Sequence, residues 1–303
     1  MSNQLPRYPI YVPSKGRSEM CFTADFLSAD GVPFRLVVEE AERELYAAKY
    51  GEERILVLPF SDMGSVIPAR NWIKQHATAS GAVRHWQLDD NIKGTRRWYR
   101  GKRIACKSGV ALAVCEDLTD RYENVAISGL NYTMFALQGG KQPKIPFKRN
   151  VHVYSCSLVL NEIPDSWRGR YNEDTDLCLQ VLSGGWCTIL LNAFMVDKVR
   201  TMTLKGGNTD ALYHGDGRLK MSRSLERLWP GVVSTERRFN RPQHVVHDSW
   251  GKFDTPLRLK AGIELSAIGE NEYGLTLTEI KPVQSEVLRD LVSTFRNDHS
   301  KAP

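Results

Sequence analysis

The sequence predicts an α/β protein with a Rossmann-like, mostly parallel central sheet and helices on both faces. Three observations carry that expectation. Short apolar runs alternate with helix-like segments over the first ninety residues. Gly and Pro fall between them as breakers. The composition, 42% hydrophobic and 25% charged, is that of an ordinary globular chain. Strand–helix alternation at this spacing favours parallel pairing, because a parallel crossover needs a helix-length connection. Residues 8–12 read as a strand closed by Pro13, and 19–29 as a helix broken by Gly31 and Pro33. Residues 34–38 are a second strand, and 40–50 a helix stopped at Gly51. Residues 55–58 follow as a strand, and 67–79 as a helix with Pro68 in its first turn, where a missing N–H costs little. The fourth strand spans 83–88. Beyond it the pattern loosens: 93–103 read as a basic loop or short helix, 108–122 as a helix and 125–128 as a strand. Residues 138–150 read as an exposed loop, 151–160 as a strong strand, 174–182 as a helix and 187–196 as a strand. After Thr201 only helices at 219–228 and 285–295 stand out.

The chain has 303 residues, with 41 Lys+Arg against 35 Asp+Glu, a formal net charge of +6. Disorder and collagen-like structure are excluded by composition, and no apolar run approaches the ~18 residues of a membrane span. The opening MSNQLPRYPIYVPSKGR has no charged-then-apolar leader pattern. A soluble protein of the cytoplasm is therefore expected, with the oligomeric state open. The six cysteines include no C-x-x-C pair, so reduced, buried thiols are expected rather than a zinc site.

In a sheet of this kind ligands gather at the carboxyl ends of the strands. Asp89-Asp90-Asn91 ends the fourth strand. Adjacent carboxylates repel, and a divalent cation such as Mg²⁺ or Mn²⁺ gives them a reason to be there; a plain surface turn is the competing reading. Val12-Pro13-Ser14-Lys15-Gly16-Arg17 follows the first strand and suits nucleotide phosphates, without the glycines of a phosphate loop or dinucleotide fingerprint. Glu39 and Glu40 follow the second strand, placed to accept from a base or ribose or simply to open the next helix. Further on, Glu173, Asp174 and Asp176 open a helix behind Asn172. Capping accounts for such a run, and so does a general base at an acceptor hydroxyl. KGTRRWYRGKR (93–103) holds six cations and no acid, with Trp98 and Tyr99 in the middle. Cations for phosphate and rings for bases make a nucleic-acid footprint, formed here by Arg96, Arg97, Trp98, Tyr99, Arg100, Lys102 and Arg103. His214, His244 and His247 are each more readily structural than metal-bound; His214 is carried as a candidate metal ligand.

Taken together, these parts resemble a glycosyltransferase of the GT-A fold. More narrowly, they are similar to the phage-type glycosyltransferases associated with TET/JBP oxygenases. The stretches that carry the likeness are YVPSKGR, IPARNW, WQLDDNI, VYSCSLVLN, GRYNEDTDLCL and LKGGNT, spread over residues 8 to 250. Asn91 departs from the common D-x-D pattern. The resemblance implies a GT-A core over 1–200, with a nucleotide-sugar half (1–92) and an acceptor half (93–200). A C-terminal extension (201–303) would pack on it. It implies a UDP-sugar donor against Pro13, Ser14, Lys15, Arg17, Glu39, Arg70, Asp89 and Asp90. Mn²⁺ or Mg²⁺ would sit on Asp90 and Asn91. Asp174, with Glu173, would be the catalytic pair: Asp174 is the base if the anomeric centre inverts and orients the sugar if it does not. The implied acceptor is DNA carrying hydroxymethylated pyrimidines of the 5-hydroxymethylcytosine type, in a bacteriophage. A saccharide, lipid or protein acceptor, or a non-catalytic nucleic-acid module on the same fold, are the alternatives.

Overall fold

The computed structural model describes residues 5–61, 64–99, 102–135, 145–199, 216–238, 240–247 and 252–270. The chain divides into compact units of residues 1–260 and 261–303; in the second, Leu265–Ala267 form a 3₁₀ turn. Arg100, His214, the LKGGNT stretch and the helix expected at 285–295 lie outside the described residues.

The first unit opens with β1 (Ile10–Pro13), α1 (Phe22–Ala29), β2 (Arg35–Val38), α2 (Arg43–Tyr50), β3 (Ile55–Val57), α3 (Ile67–Ala79) and β4 (Arg84–Leu88). These strands pair in parallel in the order β3-β2-β1-β4. Alternation along them sends Ile10, Val12, Leu36 and Val38 to the core under α1 and α2. Tyr11 and Val37 go to the opposite face, under Ala69, Ile73 and Ala77 of α3. The expected α/β layering with helices on both faces is thus present.

The second half supplies β5 (Ile92–Tyr99), β6 (Lys102–Cys106), α4 (Ser108–Asp120), β7 (Val125–Tyr132), β8 (Phe147–Arg149), β9 (Cys156–Leu160), α5 (Glu173–Ser183) and β10 (Cys187–Lys198). They extend the sheet as β4-β9-β7-β10-β5-β6, with β8 on β10. Only the β7–β10 pair is parallel; β9 runs antiparallel between β4 and β7, and β5 runs antiparallel to both β10 and β6. The sheet is therefore mixed, its parallel part concentrated in the first half.

The basic run read as a loop or short helix is a hairpin. Its apolar signal was hidden because only Ile92 and Thr95 of β5 turn fully inward. β5 is paired on both sides, by β10 and β6, so β6 is the strand at the margin, and its Lys102 and Arg103 suit an edge that must not pair with another chain. Residues 151–155 precede β9 rather than belonging to it, and Phe147–Arg149 form a strand where a loop was expected. α6 (Gly217–Leu228) is followed by a further hairpin, β11 (Val233–Arg238) and β12 (Arg241–Val246), which the polar sequence did not announce.

Strand direction fixes where the site falls. Because β9 opposes β4, Cys156 pairs with Leu88, so the residues entering β9 lie beside those leaving β4. β10 runs parallel to β7 and ends at Lys198, opposite Ile92 at the start of β5. α5 returns to β10 through Gly184 and Gly185, so Glu173 at its start and Lys198 at the strand's finish share one margin of the sheet. Gly129 lets β7 and β9 approach: a Cβ there would collide with the Cys156 carbonyl and the Val153 side chain.

Candidate active site

At the end of β4, Asp90 is buried. Its carboxylate pairs with the Arg17 guanidinium and accepts from Ser14 Oγ at 2.8 Å. Ser14 also shares a 2.7 Å hydrogen bond with the Tyr46 hydroxyl. Burial lifts the Asp90 carboxyl above its ordinary range, partly offset by Arg17 and Ser14. Asp89 points the other way. Arg70 Nη2 donates to its Oδ1 at 2.9 Å, while Lys198 Nζ and Ser155 Oγ donate to Oδ2 at 2.6 and 2.7 Å. Burial alone would raise the Asp89 carboxyl; Lys198 and Arg70 outweigh it and hold it well below the usual range. Arg70 is itself oriented by Gln87, whose Oε1 accepts from Nη1 at 3.3 Å and whose Nε2 donates to the Arg70 carbonyl at 3.1 Å. This explains a polar Gln facing inward on a central strand.

Ser155 sits at φ 61° and Asn172 at φ 53°, left-handed conformations that cost a non-glycine residue energy. Each is a junction of the site: Ser155 feeds β9 and grips Asp89, and Asn172 precedes α5, holding the Met221 carbonyl at 2.8 Å. Glu173 lies 3.6 Å from Arg70 Nε. Burial and the neighbouring Asp174 push its carboxyl up to about 7. Asp174 accepts from the Thr175 N–H at 2.7 Å through Oδ1. Asp174 also lines a cavity with Arg70, Val153, Ser155, Trp167 and Cys178.

The structure therefore brings together Ser14, Arg17, Arg70, Asp89, Asp90, Glu173 and Asp174. Lys15 pairs with Glu39 at 2.7 Å between the ends of β1 and β2, and Pro13 closes β1. The basic run leads away from this cluster. Tyr99 stands seven residues along the strand from Ile92, roughly 24 Å at strand rise. There Arg96 pairs with Asp197, Arg103 holds the Thr133 carbonyl, and Arg97 lies 5.1 Å over the Tyr99 ring. Lys102 is exposed and Trp98 half-buried. His244, on β12, is half-buried and lies in the field of Asp174.

Sequence reasoning missed Lys198 and Ser155. Lys198 had a usable signal, since it ends an apolar strand where ligands gather. Ser155 depends on the antiparallel insertion of β9.

The donor set can be tested against the expected metal ion. Asn91 Oδ1 is buried without a hydrogen-bond partner and directly follows Asp90 in the chain, and such hard oxygens are the donors that this kind of ion takes. Arg17, Arg70 and Lys198 already neutralise those carboxylates, so an ion there would have to displace at least one of them. Among the described residues no three of His, Cys, Asp and Glu gather as a metal cage.

A cationic, acid-bearing site at the strand ends of an α/β sheet suits the transfer of a group from an anionic donor. Residues 8–207 match the family described as TET-Associated Glycosyltransferase, and the chain belongs to that family. No curated protein matches the chain. Among solved structures, the mannose-1-phosphate geranyltransferase from Thermus thermophilus is 14% identical with a TM-score of 0.29. That likeness covers 74% of this chain and 64% of the other. No described helix is long and apolar enough to cross a membrane.

Proposed function

We propose that the protein transfers a sugar from a UDP-sugar to the hydroxyl of a hydroxymethylated pyrimidine in DNA, in the cytoplasm of a phage-infected host. The observation that carries this reading is the meeting of Arg70, Asp89, Lys198, Glu173 and Asp174 at one sheet margin. Cations able to take a diphosphate stand there beside carboxylates able to take a proton. The nucleotide lies toward Ser14, Lys15, Arg17 and Glu39. The acceptor oxygen attacks the anomeric carbon, and its proton passes to Asp174. The bond from that carbon to the diphosphate oxygen breaks, with its electron pair leaving on the nucleotide. Arg17, Arg70 and Lys198 are the fixed charges that favour this departure. Asn91 and Asp90 would hold a divalent ion, which supplies Lewis acidity toward the leaving diphosphate when bound. Glu173 keeps Arg70 in place. The exposed cations of the β5–β6 hairpin hold flanking phosphates.

The test offers UDP-glucose and other UDP-sugars to a 5-hydroxymethylcytosine duplex with and without Mn²⁺, read by nucleoside mass spectrometry. A hexose mass added to the modified nucleoside is expected, with more product when Mn²⁺ is present. Sugar added only to saccharide, lipid or protein acceptors, with the duplex untouched, overturns the DNA reading. No donor consumption with any acceptor points to a binding module.

A further inference from the structure

Behind Arg70 runs a line of buried polar side chains that the reaction as described does not use. Trp86 and Leu88 of β4 join the core on one face of the sheet. The alternate positions, His85, Gln87 and then Asp89, turn to the other face, toward α3. His85 and Gln87 are fully enclosed, and Arg70 and Asn161 are buried. The His85 ring meets Tyr11 and Trp167 edge-on, at 6.0 and 6.5 Å. A phenyl ring would fill that seat with no polar group to satisfy, so the two ring nitrogens call for an explanation.

The line has two ends of fixed polarity. The Ala82 main-chain carbonyl can only accept, and the Arg70 guanidinium can only donate. Asn161, directly after β9, donates through Nδ2 to the Ala82 carbonyl at 2.6 Å, which turns its Oδ1 to His85 Nδ1. At the other end Gln87 Oε1 accepts from Arg70 Nη1. Gln87 Nε2 is therefore the atom that faces His85 Nε2, at 2.8 Å. One state of the ring satisfies both neighbours. It is neutral, with the proton on Nδ1 donated to Asn161 and the Nε2 lone pair accepting from Gln87. Burial holds the imidazole down to about 4, partly offset by Asn161, and Lys74 and Arg70 on α3 also oppose a second proton.

We propose that His85 is a positioning residue for sugar transfer: as the neutral Nδ1–H tautomer it fixes the Gln87 amide with its oxygen toward Arg70, and so sets the plane in which the Arg70 guanidinium meets the donor diphosphate. The proposal rests on the reading above that Arg70 faces the donor, and adds what aims it. Arg70 spends Nη2 on Asp89 and Nη1 on Gln87, and these two bonds define the plane. Its Nε is buried without a hydrogen-bond partner, 3.6 Å from Glu173. With the Gln87 amide turned over, N–H would face N–H, and the guanidinium would lose one of its two fixed points. An Nε2–H tautomer or an imidazolium at His85 would force that turn, because Nε2 could no longer accept.

Two measurements on the full chain test this. Nitrogen NMR of the wild type with labelled histidine is expected to show a His85 ring that is neutral at pH 7 with its proton on Nδ1; the signal is identified by its loss in His85→Phe. A proton on Nε2, or a charged ring, overturns the proposal. Kinetics with UDP-glucose and a 5-hydroxymethylcytosine duplex, below the melting temperature of every variant, read the effect on transfer. His85→Phe keeps a ring and removes both nitrogens. It is expected to lower kcat about tenfold or more, within the ~10²-fold that a small misplacement near the reacting centre costs, while KM for the duplex changes less than about threefold. His85→Gln, whose amide can accept from Gln87 and donate to Asn161, is expected to recover most of the loss. Arg70→Lys keeps the charge but has no plane to set, so adding His85→Phe to it is expected to lower kcat no further. A wild-type kcat in His85→Phe, or equal losses in the two backgrounds, overturns the positioning role and leaves the sugar-transfer reading standing. An Arg70→Lys enzyme that turns over like wild type overturns the reading of Arg70 and this inference with it. A wild type that leaves the duplex unmodified overturns the DNA reading alone, and the same comparison is then made on UDP release; a wild type that releases no UDP overturns both.

Discussion

The site contains two adjacent acid pairs that look alike in the sequence and are opposite in the fold. Asp89–Asp90 is locked: Arg17, Arg70, Lys198, Ser14 and Ser155 occupy its oxygens, drawn from four different parts of the chain. Glu173–Asp174 is left loose. Among the described residues the cation beside it is Arg70, 3.6 Å from Glu173, and the Glu173 carboxyl is pushed up to about 7. Carboxylates tied by several charges organise their surroundings, and carboxylates short of partners are the ones able to exchange a proton. On the proposed function, the first pair supplies architecture and charge and the second the proton chemistry.

The largest expected effect tests the locked pair. Asp89→Ala leaves Arg70 and Lys198 buried without their partner. It is expected to cost about 3–5 kcal/mol of stability, the usual consequence of breaking a buried ion pair from one side. Denaturant unfolding measures it, and a midpoint equal to wild type would remove the architectural role. Next in size is the loose pair. Asp174→Asn is expected to lower kcat by ~10²–10⁴-fold, the range for a lost general base, while the melting temperature moves by no more than a few degrees. A variant that melts much lower but turns over normally would reverse the assignment of the two pairs.

The smallest effect sharpens the contrast through pH. Glu173 titrates near about 7 in the fold, against about 4.3 for an unperturbed glutamate. The native state therefore binds this proton more tightly than the unfolded chain, so raising the pH from about 4 to about 7 removes stability. Glu173→Gln stays neutral throughout. It is expected to melt higher than wild type at pH 8, with the gap narrowing toward pH 4. An equal gap at both ends would mean that ionisation of Glu173 is not opposed by the fold.

Much of this contrast was readable from sequence, and what was not has a common cause. α3 begins and ends where periodicity and Pro68 place it, because a long amphipathic helix with a proper first turn is a local property. Both acid pairs were visible because strand ends and helix starts are local as well. The partners that make them differ were not. Lys198 stands 109 residues from Asp89 and Ser155 stands 66, and both arrive through the mixed pairing of β9 and β10. A run of apolar residues cannot declare whether it will pair parallel or antiparallel. The stretch VHVYSCSLVL therefore read as one strand, although its first half is the irregular segment that carries His152, Tyr154 and Ser155. The basic hairpin was hidden for a related reason: cations interrupt its apolar alternation, and its strands are held by pairing partners that lie far off in the chain or across a short turn.

The α5–β10 unit has a mechanical consequence. Helix and strand lie back to back like the two arms of a caliper, with Glu173 and Asp174 at one tip and Lys198 at the other, so the reach between carboxylates and ammonium group is set by arm length. Removing two residues from the strand arm would keep every side chain on its own face while retracting the lysine by about 7 Å. Such a shortened chain could fold with its inner layers intact and still be unable to bridge the two chemistries it has to join.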